Sequence, residues 1–339
     1  MNLYRGRTGK VYVCGQRLGG GGEGDVFALP DTPALAAKIY RDPGRRYMKE
    51  KLEVMLAQPV RQNSGTPCIA WPLDILMDGD GNTAGYTMPL ITDCFPLYCA
   101  SREKERAVMF RNYTWKTAVT VACNLALAVR TVHESGIVIG DMNSNNILVS
   151  REGYVTLIDT DSFSITDQTT GKVHPCTVGV PNMLPPELQN KDLSRKNVLF
   201  TKESDCFGLA VHVVSLLLNN CHPFSCTDPR GRKNTGDITG NIRKGICPYV
   251  TGSTFPRNAS APDPVFLPDD IRHLIDRTFT YTFRTSRKKE TIDLRPCADE
   301  WWRALYSLRT AGLTACPRDP SHIYPKHSPD CPWCRLRGR

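Results

Sequence analysis

Two hydrophobic periodicities divide the chain. Over residues 11–90, short apolar runs alternate with polar positions in KVYVCGQRL, DVFAL, ALAAKIY, CIAWPLDIL and AGYTMPLI, each bounded by turn residues. That period of two predicts strands. One stretch breaks the rhythm: over roughly 44–58, Met48, Leu52, Met55 and Leu56 recur at helical spacing, which predicts a single helix among the strands. The segment DGDGN (78–82) imitates the opening of a calcium loop. Its sixth and twelfth positions are Thr83 and Pro89 instead of Gly and Glu, so it reads as a hairpin turn.

From about residue 114 the period lengthens. TWKTAVTVACNLALAVRTVHESG has apolar residues three and four apart and stops at Gly136, a helix with a glycine terminator. IVIGDMNSNNILV and YVTLIDTDSF follow as short strands with polar loops, the second reaching through Asp159. A near-continuous apolar helix is expected over 205–218. A polar, Gly/Pro-rich insert at 225–264 holds one helix near 237–244, and amphipathic helices are expected near 269–279 and 297–309. From residue 312 the text becomes short, proline-rich and cysteine-rich. The expected organisation is α+β: a strand-rich unit (1–90), a helical unit (91–310) and a small tail (311–339).

The polar residues within this frame carry chemistry. In LGGGGEGDVF, Gly19, Gly21, Gly24 and Val26 fit G-x-G-x-x-G-x-V. A strand follows the glycines, where a dinucleotide fold would place a helix, and that is the arrangement of a hairpin lid over nucleotide phosphates. Lys38 is the lone cation of the apolar strand LAAKIY, placed to grip α- and β-phosphates. Asp141 and Asn146 stand five apart, and Asp159 follows by thirteen. A carboxylate base followed by two oxygen ligands for Mg²⁺ (or Mn²⁺) is what phosphoryl transfer from ATP requires.

Taken together, these pieces resemble the eukaryotic-type (Hanks-like) Ser/Thr protein kinases over residues 14–309. The matches run in family order: the glycine loop, Ala36/Lys38, the hinge-like MPL of Met88–Leu90, the loop 141–146, Asp159, PPE (185–187), DCFGLA (205–210), HPF (222–224) and RP (295–296). The resemblance implies a two-lobed kinase-like fold, with a small β-rich N-lobe and a larger helical C-lobe. It also implies a buried Glu187–Arg295 ion pair and places Leu148 on the adenine-pocket floor. The acceptor would be a protein Ser/Thr hydroxyl, the chain's own included.

Several positions depart from that pattern. Ile139 and Gly140 replace the His and Arg before the catalytic aspartate, and Asn143 stands at the catalytic-loop lysine. Val180 stands at the threonine that normally contacts that lysine, and Asp159-Thr160-Asp161 replaces D-F-G. Asp161 reads as a structural or solvated carboxylate more readily than as a metal ligand. As the acidic partner of Lys38, Glu53 on the flank of the helical stripe is preferred over Glu50. These departures keep two other readings open, a nucleotide-binding pseudokinase scaffold and a small-molecule phosphotransferase of aminoglycoside-kinase type.

The tail, CPRDPSHIYPKHSPDCPWC, supplies Cys316, His322, Cys331 and Cys334, the donor set of a closed zinc site, with His327 as an alternative fourth ligand. The other eleven of the 14 cysteines are scattered singly, as small buried hydrophobes are. Kinases resembling this one, with a CPWC end, occur in bacteria beside PP2C-type phosphatases and von Willebrand-type proteins of tellurium-resistance-like operons, which implies such partners. The net charge of +9 suits phosphate ligands, but it is spread out apart from Arg335, Arg337 and Arg339, so no nucleic-acid partner is expected. The longest apolar stretch, FGLAVHVVSLLL, is 12 residues long. It falls short of the ~18 a spanning helix needs, and the start of the chain shows no apolar leader, so a cytoplasmic protein is expected.

Overall fold

The computed structural model describes residues 3–42, 46–62, 68–110, 112–195, 197–226, 237–280 and 295–338. Alternation in the first ninety residues produces a seven-stranded, wholly antiparallel sheet. Its strands are β1 (Leu3–Gly6), β2 (Val11–Val13), β3 (Arg17–Gly20), β4 (Gly24–Ala28), β5 (Leu35–Tyr40), β6 (Asp74–Met77) and β7 (Thr83–Pro89). The order across the sheet is β2-β1-β6-β7-β5-β4-β3. Strand β1 lies upstream of the first run read as a strand. The run CIAWPLDIL is ordered as a strand only from Asp74, because Ile69 leaves the sheet to bridge Leu157 in parallel. Asp78 closes the β6–β7 turn by accepting from the backbone N–H groups of Asp80 and Asn82, at 3.0 and 2.8 Å. The calcium-loop imitation is therefore a hairpin turn.

The helix Arg46–Ala57 packs on β6 and β7 through Met48, Leu52 and Met55, all buried. Trp71 locks its C-terminal turn by donating its indole N–H to the Met55 carbonyl at 2.9 Å. Beyond the sheet the chain is mainly helical. The helices Trp115–Glu134 and Lys202–Leu217 pack on each other, and Ala298–Ala311 packs on the first. Lys202–Leu217 is buried on nearly every side, which explains its uninterrupted apolar text. Thr201 and Ser204 start it with a reciprocal capping box. The expected helices near 237–244 and 269–279 are Ile238–Lys244 and Asp269–Phe279; residues 227–236 of the polar insert lie outside the described residues. Among the described residues, no helix is long and apolar enough to cross a membrane.

Two features anchor the end of the chain. Arg295 is buried and donates to both carboxylate oxygens of Glu187, at 2.6 and 2.8 Å, and to the Glu203 carbonyl at 3.1 Å. Its guanidinium also lies 5.5 Å from the Phe207 ring centre. The tail forms a two-stranded ribbon, Leu313–Ala315 with Ile323–Pro325, and a short helix, Pro332–Leu336. Trp333 docks it, packing 6.2 Å from Trp115 and 5.9 Å from Phe266, ring centre to ring centre.

Removing one partner of a buried ion pair leaves the other charged and unsatisfied, at a cost of about 3–5 kcal/mol. Arg295→Ala is therefore expected to lower unfolding stability by about 3 kcal/mol, near the low end because Glu187 is partly exposed. Urea denaturation checks this, and a midpoint equal to that of the unaltered chain would contradict it.

Candidate active site

A cleft of about 710 Å³ opens between the sheet and the helical part. The β3–β4 hairpin covers one side of it. Gly24 must be glycine: a Cβ there would stand 2.5 Å from the Ile39 carbonyl oxygen of β5. Gly19 and Gly21 have open space around them and present bare backbone to the cleft. Val26, Ala36, Met88, Leu90 and Leu148 line the apolar side. Ala36 pairs with Met88 across β5 and β7.

The polar end is organised by one buried carboxylate. Asp205, near the start of its buried helix, accepts from the backbone N–H of Ile139 (2.7 Å) and of Gly140 (2.8 Å), and also meets His133 Nε2 at 3.0 Å. Gly140 has φ of +77°, and a Cβ there would come within 2.6 Å of Cys176. A side chain at this position would have to take left-handed angles and displace Cys176, which glycine avoids. Asp141 follows, its Oδ2 accepting from the Asn146 amide at 3.1 Å, while Oδ1 is buried without a partner among the described residues. Burial first, then the charge of Asp159, push the Asp141 carboxyl up to about 6. It remains largely ionised at neutral pH and is basic enough to accept a hydroxyl proton. Because Asn146 gives its NH₂ to Asp141, its amide oxygen is left available as a hard metal ligand. Asn143 lines the cleft as expected, but its side-chain oxygen accepts from the Asn145 N–H at 3.0 Å and starts the 3₁₀ turn Ser144–Asn146.

Asp159 does not lie within a strand, as the apolar run predicts; the strand ends at Leu157 and Asp159 adopts left-handed angles, φ 61° and ψ 37°. For a non-glycine residue this costs on the order of 1–2 kcal/mol, and such residues concentrate at functional sites. Asp159 lines the cleft and is about one-third exposed, whereas Asp161 is fully buried. Lys38 bonds both, meeting the two oxygens of Asp161 at 2.7 and 2.8 Å. Tyr40 and Tyr86 complete Asp161 with hydroxyl bonds of 3.0 and 2.9 Å. Burial alone would lower the Lys38 ammonium, but the two carboxylates outweigh it and raise it. For Asp161, burial opposes ionisation, yet Lys38 and Tyr86 hold its carboxyl below the usual range.

The acid that neutralises Lys38 is thus Asp161, not Glu53. Glu53 sits half-buried on the helix flank and is not among the partners of Lys38. The residue that the helix does turn inward is Lys51, wholly buried and overlooked by the sequence reading. The signal was present: at 100° per residue Lys51 lies about 60° from Met48, whereas Glu53 lies about 140° away. Thr160, in the place of a phenylalanine, is buried and donates to the Ala70 carbonyl at 3.0 Å, tying the segment to the sheet.

A second cluster lies in the tail. Cys316 Sγ and Cys334 Sγ are 3.7 Å apart, and His322 Nδ1 is 3.6 Å from Cys331 Sγ and 3.5 Å from Cys334 Sγ. All four donor atoms fall within 4.8 Å of one another. A tetrahedron with Zn–S near 2.3 Å has S···S edges of about 3.8 Å, so the set fits zinc. His322 Nε2 faces Asp319 at 3.4 Å, the carboxylate that orients a ligating imidazole. His327 is exposed and outside the cluster.

No family model matches the chain. It is 34% identical over 338 residues to the protein kinase YegI of Escherichia coli strain K12, covering 97% of this chain and 49% of that protein. The O157:H7 form is 33% identical over 337 residues with the same coverage. The chain therefore spans about half the length of these curated relatives. A putative tyrosine-protein kinase of Caenorhabditis elegans, C03B1.5, is 31% identical over 116 residues, 34% of this chain and 33% of that protein. The similarity is to proteins named as protein kinases, one of them as a tyrosine kinase.

Gly140→Ala combines a left-handed backbone with the clash against Cys176. It is expected to cost at least ~2 kcal/mol of stability and to loosen the Asp141 loop. Chemical denaturation reads the loss; an unchanged midpoint would contradict the argument.

Proposed function

We propose that the chain is an ATP-dependent protein kinase that transfers the γ-phosphate to Ser/Thr hydroxyls, its own included. One observation carries this reading: residues scattered over 140 positions, Gly19 to Asp159, line a single cleft in the order phosphoryl transfer needs. The glycine hairpin bares backbone toward the phosphates, and Lys38 supplies the cation for them. Asp141, which lines the cleft with its carboxyl pushed up to about 6, orients the acceptor hydroxyl and takes its proton. Asn146 and Asp159 would hold Mg²⁺, which neutralises charge across the phosphates. The similarity to named protein kinases supports the same reading, as does a cleft lined by residues of both the sheet and the helical part. The assigned units are 1–90, 91–310 and a zinc-bearing tail at 311–339. A cytoplasmic setting, with a PP2C-type phosphatase and a von Willebrand-type protein as partners, belongs to the same proposal and rests on the resemblance.

Asp141→Asn is expected to reduce phosphate incorporation from labelled ATP by about 10²–10⁴-fold while leaving the fold intact. Equal labelling of both proteins, read by intact mass, would remove the kinase assignment. Robust transfer to an aminoglycoside in place of protein would favour the small-molecule alternative.

The tail buries too little apolar surface to hold itself together, so zinc would act as a staple that presents Trp333 to Trp115 and Phe266. Metal analysis of the purified chain is expected to find one zinc per chain. Cys331→Ser with Cys334→Ser should lose it and lower the melting temperature. A metal-free chain with an unchanged melting temperature after chelation would refute the site.

A further inference from the structure

Helix Arg46–Ala57 turns a lysine into the interior. Lys51 is wholly buried, and its ammonium has no hydrogen-bond partner among the described residues. An unpaired buried charge is expensive, so a chain that keeps one has a use for it or a cheaper residue in its place. The charged and titratable groups around Lys51 are Asp161 and Lys38 behind the cleft, Glu23 at the hairpin tip, and Cys176 with His174 in the following segment. Burial pushes Lys51 down to about 8, and Asp161 is the strongest influence pulling it back up. Asp161 is fully buried, whereas Glu23 is half-exposed.

The helix that carries Lys51 packs against the turn Thr160–Ser162 that carries Asp161, so a second buried ammonium lies near the carboxylate that Lys38 holds. Lys38 has three donors, and here they are directed at Asp159 and both oxygens of Asp161. To reach nucleotide phosphates it must release at least part of this grip. Released, Asp161 would keep only the hydroxyls of Tyr40 and Tyr86, neither of which carries a countercharge.

We propose that Lys51 is a positioning residue that takes over Asp161 when Lys38 turns to the phosphates, an inference that rests on the kinase reading above. The step exchanges ion-pair partners; no bond forms and no proton moves. Asp161 stays ionised and in place, and Lys38 becomes available without stranding a buried charge. Lys51 thereby lowers the cost of nucleotide binding without touching the nucleotide.

The full chain, with Lys51→Met, Lys51→Arg, Asp161→Asn and the Lys51→Met/Asp161→Asn double variant, tests this by calorimetric binding of Mg²⁺ with a non-hydrolysable ATP analogue, alongside thermal unfolding. Lys51→Met is expected to raise the melting temperature, since it removes an unpaired charge, and yet to weaken nucleotide binding about tenfold; Lys51→Arg should restore binding to within about threefold. In the Asp161→Asn background the same Met substitution should change binding less than twofold. Should Lys51→Met not fold, Lys51→Gln reads the same quantities. Unchanged binding in the Met variant, or an equal tenfold loss in both backgrounds, would overturn the exchange while leaving the kinase reading in place. An unaltered chain that binds no nucleotide would overturn both.

Discussion

The architecture turns on the ion cluster of Lys38, Asp159 and Asp161. It is where the sheet and the helical part meet through charge, and it reconciles two conflicting demands. A cation lines the cleft, and a buried cation must be neutralised. Placing one acid at the cleft and another beneath it does both: Asp159, partly exposed, faces the ligand side, and Asp161, fully buried, is held by Lys38, Tyr40 and Tyr86. The acid beneath Lys38 comes from the segment after β-strand 155–157, while the helix turns Lys51 inward.

A second carboxylate does for the loop what Asp161 does for Lys38. Asp205 gathers two consecutive backbone N–H groups and His133, and so fixes the entry to Asp141. Loops that carry reactive groups gain precision when their backbone donors are satisfied by a rigid element, and the helix Lys202–Leu217 is rigid because it is buried almost all round. Gly140 then permits close contact with Cys176, where a side chain could not fit. Glycine at this position is thus a packing solution.

Much of this was legible in the chain before any fold. Periods of two and of three to four located the sheet and the main helices, because burial on one face imposes them. The spacing of Lys38, Asp141, Asn146 and Asp159 singled out four polar residues that the fold brings to one cleft. The grouping of Cys316, His322, Cys331 and Cys334 was likewise local text, since a metal can organise a short segment with little help from a core.

What the chain alone left undecided were pairings set by distances through space. Whether Glu53 can reach Lys38 depends on how the helix packs on β6 and β7, which turns Lys51 inward and leaves Glu53, about 160° away around the axis, on the flank. Where Asp159 takes left-handed angles, Lys38 bonds its carboxylate and the next residue, Thr160, holds the Ala70 carbonyl, and both Lys38 and Ala70 are distant in sequence. Strand β1 escaped notice because four residues carry too little periodicity to stand out. Local sequence determined which chemistry the chain carries and in what order; tertiary packing decided which charge answers which, because electrostatic partners are chosen by burial and proximity, and neither is a property of a segment.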